Sequence, residues 1–363
     1  MNIAFVLLSY QRDAPAGMER AVAGLLDGLV ALGHHAVVLS AAPQAASDRD
    51  VVPIRSLAVG FPSDDGRLRA AIQQASGLED EVDAILHDRA IDIVCYVDAL
   101  WGIGRLLTRG PFRAVLTVHV VGHRIDLDAA LGRRPDVVLA PAKRVLEQAA
   151  GRGYDTFGWK VVPNSLLDPR VPVPAPGVRE ALRRAGPIRV IARLGPEKGI
   201  LPLLATVPPI LGRTVEVALA LAAFEADAGG QRRLLEDCQT AVAADSKIRL
   251  RPGLPWDGAT EFLASAGIAV VPSRAETFGL VALEAMSVGT PVVAFSVGNL
   301  PDLVGDAGTL VPLAQGATGL WAAAQNLLAD PLRYRAACQA GLARAEFYRP
   351  ATVAQRWMEA VGP

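Results

Sequence analysis

An α/β fold with two doubly wound parallel-sheet domains is predicted by three features of the sequence. Strand-length apolar runs alternate with segments of helical period along nearly the whole chain. Those runs are continuously apolar, as expected of strands covered on both faces. A proline- and charge-rich seam at 165–187 (SLLDPRVPVPAPGVREALRRAGP) then divides the pattern into halves of similar size. The 363 residues suffice for two domains of ordinary size, and 51% hydrophobic residues supply two cores.

Residues 2–9 (NIAFVLLS) form the first buried strand. Met18, Val22, Leu25, Leu29 and Leu32 then recur at steps of three and four, and Gly33 stops that helix. AVVLS (36–40) completes a βαβ start, which implies a parallel sheet. A short strand near 51–54 and a helix near 67–89 follow. IDIVCYV (91–97), RAVLTV (113–118) and DVVLA (136–140) are three more strands; the helix KRVLEQAAGRG and the strand KVVP (160–163) close the first half. Beyond the seam the alternation restarts with IRVIA (188–192), a helix over 199–211, VEVALAL (215–221), a helix over 228–244, KIRLR (247–251) and a helix over 258–266. Next come the strand IAVVP (268–272), a helix from Gly279 to Gly289, VVAF (292–295), a short helix at 299–304 and GTLVP (308–312). Helices at 316–329, 331–346 and 350–361 finish the chain.

Composition excludes more than it names. A net charge of −1 gives nucleic-acid binding no global support. Cys95, Cys238 and Cys338 are odd in number, far apart and without metal spacing; they read as core fillers in a reducing compartment. The first apolar run is of strand length and lacks a basic leader, so neither a signal peptide nor a membrane span is expected. A cytoplasmic protein is the expectation; oligomeric state stays open. No Asp-x-Asp pair flanked by a suitable strand and no His/Asp cluster with metal spacing is present, so no metal and no other cofactor is expected.

The chemistry concentrates in 271–291, VPSRAETFGLVALEAMSVGTP. Strand, polar loop and helix make a βα unit whose first helical turn offers free N–H groups and a partial positive charge to a phosphate. Glu276 and Glu284, eight positions apart, would repel that phosphate unless used otherwise. Vicinal sugar or ribose hydroxyls are the natural partners of such carboxylates. The run resembles the signature of the retaining GT-B glycosyltransferases of family 4, PSxxExFGLxxLEAMxxGxPVV. Glu276 and Glu284 fill the two glutamate places, with Pro272, Ser273, Phe278, Gly279, Ala285, Met286, Gly289 and Pro291 around them.

Other motifs carry the same resemblance. RLGPEKG (193–199) is similar to the family's GRLxxEKG, with Ala192 where glycine is frequent. It implies that Arg193 and Lys198 meet the donor's pyrophosphate, where fixed cations stabilise the departing nucleoside diphosphate. APAGMER (14–20) resembles the GGxER loop at the first βα turn: Gly17 matches the second glycine, Ala16 replaces the first, and Glu19 suits a helix start. No GxGxxG is present, which argues against a standard dinucleotide site. His119 follows the strand RAVLTV as part of TVH, and the family places a histidine there near the transferred sugar. VVPNS (161–165) resembles the PNG element, with Asn164 matching and Ser165 in place of glycine. AspAsp at 64–65 reads as a turn.

The resemblance implies the GT-B architecture: two Rossmann-like domains, 1–165 and 166–345, facing a central cleft, with a helix in 346–363 crossing back to the first. It implies transfer of a sugar, with retention, from a nucleotide sugar (UDP- or GDP-linked) to a small hydroxylated acceptor such as a sugar, cyclitol or natural product. His119, Arg193, Lys198 and Glu276 would act at the reacting centre. Gly17, Phe278, Gly279, Leu280 and Glu284 would complete the donor site, Glu284 on the ribose. Asp98, Trp101 and Asp126 are candidate acceptor contacts. Alternatives left open are a lipid-linked or membrane acceptor, a GT-B nucleotide-sugar epimerase, and a non-enzymatic sugar-nucleotide-binding protein.

Overall fold

A computed structural model describes all residues except 11–16, 42–50, 98, 168–170, 209–211, 226–228, 244 and 363. The first half is a seven-stranded sheet of β1 (Asn2–Leu7), β2 (His35–Ser40), β3 (Val51–Pro53), β5 (Ile93–Val97), β6 (Arg113–Thr117), β7 (Val137–Ala140) and β8 (Lys160–Val161). Its order is β3-β2-β1-β5-β6-β7-β8, parallel throughout. The second is a six-stranded parallel sheet of β9 (Ile188–Arg193), β10 (Val215–Ala220), β12 (Ile248–Pro252), β13 (Ile268–Val271), β14 (Val292–Phe295) and β15 (Gly308–Val311), in the order β12-β10-β9-β13-β14-β15. The order reverses about the first strand of each sheet, so helices cover both faces, as the continuous apolar runs predict.

β1 shows how one strand feeds two cores. Ala4, Val6 and Leu8 face a cluster closed by α2 (Asp65–Gln74) and α3 (Leu78–Asp88). Ile3, Phe5 and Leu7 face another, closed by α1 (Gly17–Ala31) and α14 (Pro350–Val361). α4 (Arg124–Gly132) and α5 (Lys143–Gly151) complete the first half. In the second half, α7 (Ile200–Leu204), α8 (Gly230–Val242) and α12 (Gly316–Ala329) lie over one sheet face, α9 (Trp256–Ala264), α10 (Leu280–Ser287) and α11 (Leu300–Val304) over the other, and α13 (Pro331–Ala345) contributes to both clusters.

Several local readings change. The helix over 67–89 is two helices, because Gly77 turns the chain at φ 73°. The helix over 199–211 is described only as the five residues of α7; 209–211 lie outside the described residues. The seam holds a helix, α6 (Pro176–Ala185). Its Arg179 is buried and donates to the carbonyls of Ala264, Ala266 and Val288 at 3.0, 2.9 and 2.8 Å. Charge in the seam therefore bolts α6 to the second half. A short parallel pair, β4 (Ser63–Asp64) with β11 (Phe224–Glu225), links the two halves, and nothing in its two-residue strands announced it.

The chain returns to the first half at its end. The Leu166 N–H donates to the Tyr348 carbonyl at 2.8 Å, so the outgoing and returning segments run together. α14 then lies along α1. A methyl group on Gly28 would overlap the Pro350 carbonyl, so a glycine is what lets the two helices approach. Trp357 is buried with its ring 5.7 Å from that of Phe5, and the Lys160 Nζ donates to the Ala360 carbonyl at 2.6 Å. Removing the indole leaves a cavity between α14 and the sheet. Trp357→Ala is expected to cost about 3–5 kcal/mol, read as a lowered denaturant midpoint.

Candidate active site between the two sheets

β9 and β13 are neighbours in the second sheet, so the loops leaving their C-terminal ends lie side by side. The Arg274 N–H donates to the Glu197 carbonyl at 2.8 Å and joins them. Gly199, at φ 65°, is demanded by this join, since a side chain there would strike the Pro272 carbonyl. The Lys198 Nζ donates to Glu276 Oε2 at 2.8 Å, both side chains being largely buried. Arg193 Nη2 lies 2.6 Å from Glu197 Oε1, half exposed in the cleft. The two cations that the sequence nominates thus stand on one wall, each beside a carboxylate that fixes its position.

α10 opens on the same wall. Gly279 precedes it at φ 106° and no side chain caps it, so its first N–H groups are free for an anion. Asn299 Nδ2 donates to the Phe278 carbonyl at 3.1 Å, and Phe278 is buried edge-on to Tyr348 at 5.8 Å. The turn before α10 is therefore held rigidly from both sides.

From the first half, the start of α1 meets the start of α10: a methyl group on Gly17 would stand 3.2 Å from Leu280 Cδ1. One turn further along both helices, Arg20 Nη1 pairs with Glu284 Oε1 at 3.2 Å. Both side chains are buried, and burial pushes the Glu284 carboxyl up while the Arg20 charge pulls it back. Glu19 is buried too and accepts a hydrogen bond from Ser9 Oγ, beyond the end of β1, so it does more than cap a helix. Ala16 lies outside the described residues. Arg20 is the functional candidate that sequence reasoning missed. Its signal was there: a charge followed at once by the apolar and small run AVAGLL, where the first turns of α1 are buried almost all round.

His119 lies just beyond β6, buried, and lines a small cavity of about 30 Å³ with Thr117 and Asn164. Burial pulls its pKa down to about 4, so the ring is neutral near pH 7. Trp101 sits on an irregular 3-10 turn (Leu100–Leu106) with its backbone at φ 58°. Its Nε1 donates to Asp65 Oδ1 at 2.6 Å, and its ring stacks 4.1 Å from that of Phe224, across the β4–β11 link. The other Asp65 oxygen is 3.1 Å from His123 Nε2. Asp65 and Trp101 wall a cavity of about 500 Å³ against Arg193, Glu197 and Phe224.

One of the acceptor candidates takes another place. Asp126 has no exposed surface and is bonded through Oδ1 to Arg69 Nη1 at 2.5 Å; it ties α4 to α2 and is not on the cavity wall. Asp98 lies outside the described residues. The pair at 64–65 is more than a turn. Asp64 caps α2, accepting from the Arg67 N–H, and Asp65 faces the cleft. Among the described residues no three His, Cys, Asp or Glu side chains group as metal ligands, and no helix is long and apolar enough to cross a membrane.

Two family profiles match the chain: Glycosyltransferase Family 4 over residues 15–166, and Glycosyl transferases group 1 over residues 187–330. The D-inositol 3-phosphate glycosyltransferase of Frankia alni is 30% identical over 235 residues, 59% of this chain and 53% of that protein. Its namesake from Segniliparus rotundus is 35% identical over 161 residues, 44% of this chain and 35% of that protein. The matches thus span from about a third to about half the length of these curated relatives. Among solved structures, sucrose-phosphate synthase of Thermosynechococcus elongatus superposes with a TM-score of 0.80 at 22% identity, covering 99% of this chain and 97% of that one. Anabaena HepE, solved in complex with UDP and glucose, superposes at 0.74 and 18% identity over 98% of each chain. These two likenesses show the fold.

His119 makes stability pH-dependent. Its native pKa lies below the ordinary 6.5, so the unfolded chain binds the proton more readily. Stability is therefore complete above pH 6.5 and falls as pH drops toward 4, by about 3 kcal/mol from this group. Denaturant unfolding at the two pH values should show that loss, and His119→Asn should remove it.

Proposed function

Because the chain belongs to the family 4 glycosyltransferases and has their GT-B fold, we propose that it transfers a sugar, with retention, from a nucleotide sugar to a hydroxyl of a small acceptor. The observation that carries this reading is the meeting of α1 and α10, N-terminus to N-terminus, beside Arg193 and Lys198. Two helix starts and two fixed cations make a site for a diphosphate.

In this reading the backbone N–H groups of Phe278, Gly279 and Leu280 hold the diphosphate, and Gly17 leaves room for it from the α1 side. Arg193 and Lys198 stabilise the charge that builds on the phosphate as the glycosidic bond breaks. These groups neutralise the phosphate without calling on a divalent cation. Glu276, already oriented by Lys198, accepts hydrogen bonds from the donor sugar's hydroxyls. Glu284 takes the ribose. His119, neutral near pH 7, contacts the sugar at the reacting carbon. The acceptor hydroxyl attacks from the face that the diphosphate leaves, and its proton passes to the departing phosphate oxygen. The nucleotide bound by HepE favours a uridine donor, with a guanosine donor as the alternative.

The cavity between Trp101 and Arg193 is the acceptor site in this proposal. Its roughly 500 Å³ is in the range of small-molecule pockets. An indole and a fixed carboxylate suit a ring that is apolar on its faces and hydroxylated at its edge. The names of the curated relatives support a cyclitol among such acceptors. The proposal also places the enzyme in the cytoplasm, in keeping with three free, buried cysteines.

A thermal-shift panel of UDP, GDP, ADP, CMP and dTDP tests the donor site. One nucleotide should raise Tm selectively, and Lys198→Ala should abolish that shift. The same variant should keep its fold and lose about 10²–10³ in turnover; near-normal turnover would refute the phosphate assignment. Trp101→Ala should raise the KM for acceptor by about tenfold with nucleotide binding unchanged.

A further inference from the structure

Arg20 and Glu284 form a buried ion pair between the first helix of one half and the phosphate-facing helix of the other. The pair is incomplete. Arg20 Nη1 meets Glu284 Oε1; Glu284 Oε2 and Arg20 Nε are buried with no hydrogen-bond partner among the described residues. A carboxylate left half-satisfied away from water is costly. The second oxygen, though buried, keeps an unused acceptor that a ligand's hydroxyl would satisfy.

We propose that Arg20 is a positioning residue for the nucleotide's ribose: it anchors Glu284 Oε1 from the first half and so presents Oε2 to a ribose hydroxyl. The inference rests on the reading of Glu284 given above. It adds a first-half residue to a donor site otherwise built almost wholly by the second half, so the ribose contact depends on α1 and α10 staying together. Burial pushes the Glu284 carboxyl up, and the Arg20 charge pulls against that push.

Calorimetric titration of wild type, Arg20→Met, Arg20→Gln and Arg20→Lys with UDP, GDP and their 2′,3′-dideoxy analogues tests this. Wild type should bind the ribose form of one nucleotide about 10- to 100-fold more tightly than its dideoxy analogue. Arg20→Met and Arg20→Gln should reduce that ratio to about twofold or less by weakening the ribose form alone, and Arg20→Lys should restore part of it. Binding of the dideoxy analogue certifies a folded site in each variant, and Arg20→Gln carries the comparison should Arg20→Met not fold. An unchanged ratio in the neutral variants, or equal weakening of both forms, would overturn the role of Arg20 and leave that of Glu284 standing. A wild type that does not discriminate overturns the ribose role of Glu284 and this inference with it. Failure of wild type to bind either nucleotide overturns the nucleotide site as a whole.

Discussion

The starts of α1 and α10 meet where the two sheets face each other, with Gly17 against Leu280 and Arg20 against Glu284. Each helix follows a central strand of its own sheet, β1 in one and β13 in the other. In a parallel sheet the helix after a strand begins at the strand's C-terminal end, so two such sheets facing edge to edge bring helix N-termini together. Like dipole ends repel, and the contact persists because packing and a buried ion pair hold it. An anion placed between them would relieve the repulsion. Around that contact stand the cations of the adjoining loop, each turned to a carboxylate, and a neutral histidine behind.

What keeps the two halves in this relation is distributed along the chain. α14 carries Trp357 back onto the first sheet, and Gly28 makes room for it. The Leu166–Tyr348 hydrogen bond joins the two crossing segments. β4 and β11 add a third tie at the rim, with Trp101 stacked on Phe224 beside it. The cavity between Trp101 and Arg193 borders this last tie, so its walls and an interdomain contact share residues. Any change in the angle between the halves would act directly on the site.

Most strands and the long helices were legible in the sequence because burial on both sheet faces writes itself as continuous apolar runs, and Gly33 and Gly289 mark helix ends without ambiguity. The loops after β9 and β13 were legible because backbone geometry demands particular residues: glycine at 199 and 279, and the cations and carboxylates between. Other features were not. Arg179 belongs to a stretch that looks like a solvated linker, yet its guanidinium is buried under three carbonyls, and charge alone does not announce a buried partner. Asp65 looked like half of a turn, and Asp126 like a cleft residue. Only the packing of α2 against α4 exchanges their roles, exposing the first and burying the second.

By itself the sequence determined the two α/β halves and the chemical character of the loops after β9 and β13, because strand burial, helix period and glycine-dependent turns are local requirements. The tertiary structure alone decided which charges meet. Lys198 and Glu276 are 78 positions apart, and Arg20 and Glu284 belong to different halves. No local propensity couples such residues; the facing of two sheets does. The same holds for the cavity between Trp101 and Arg193, whose walls come from both halves and acquire a shape only where they touch.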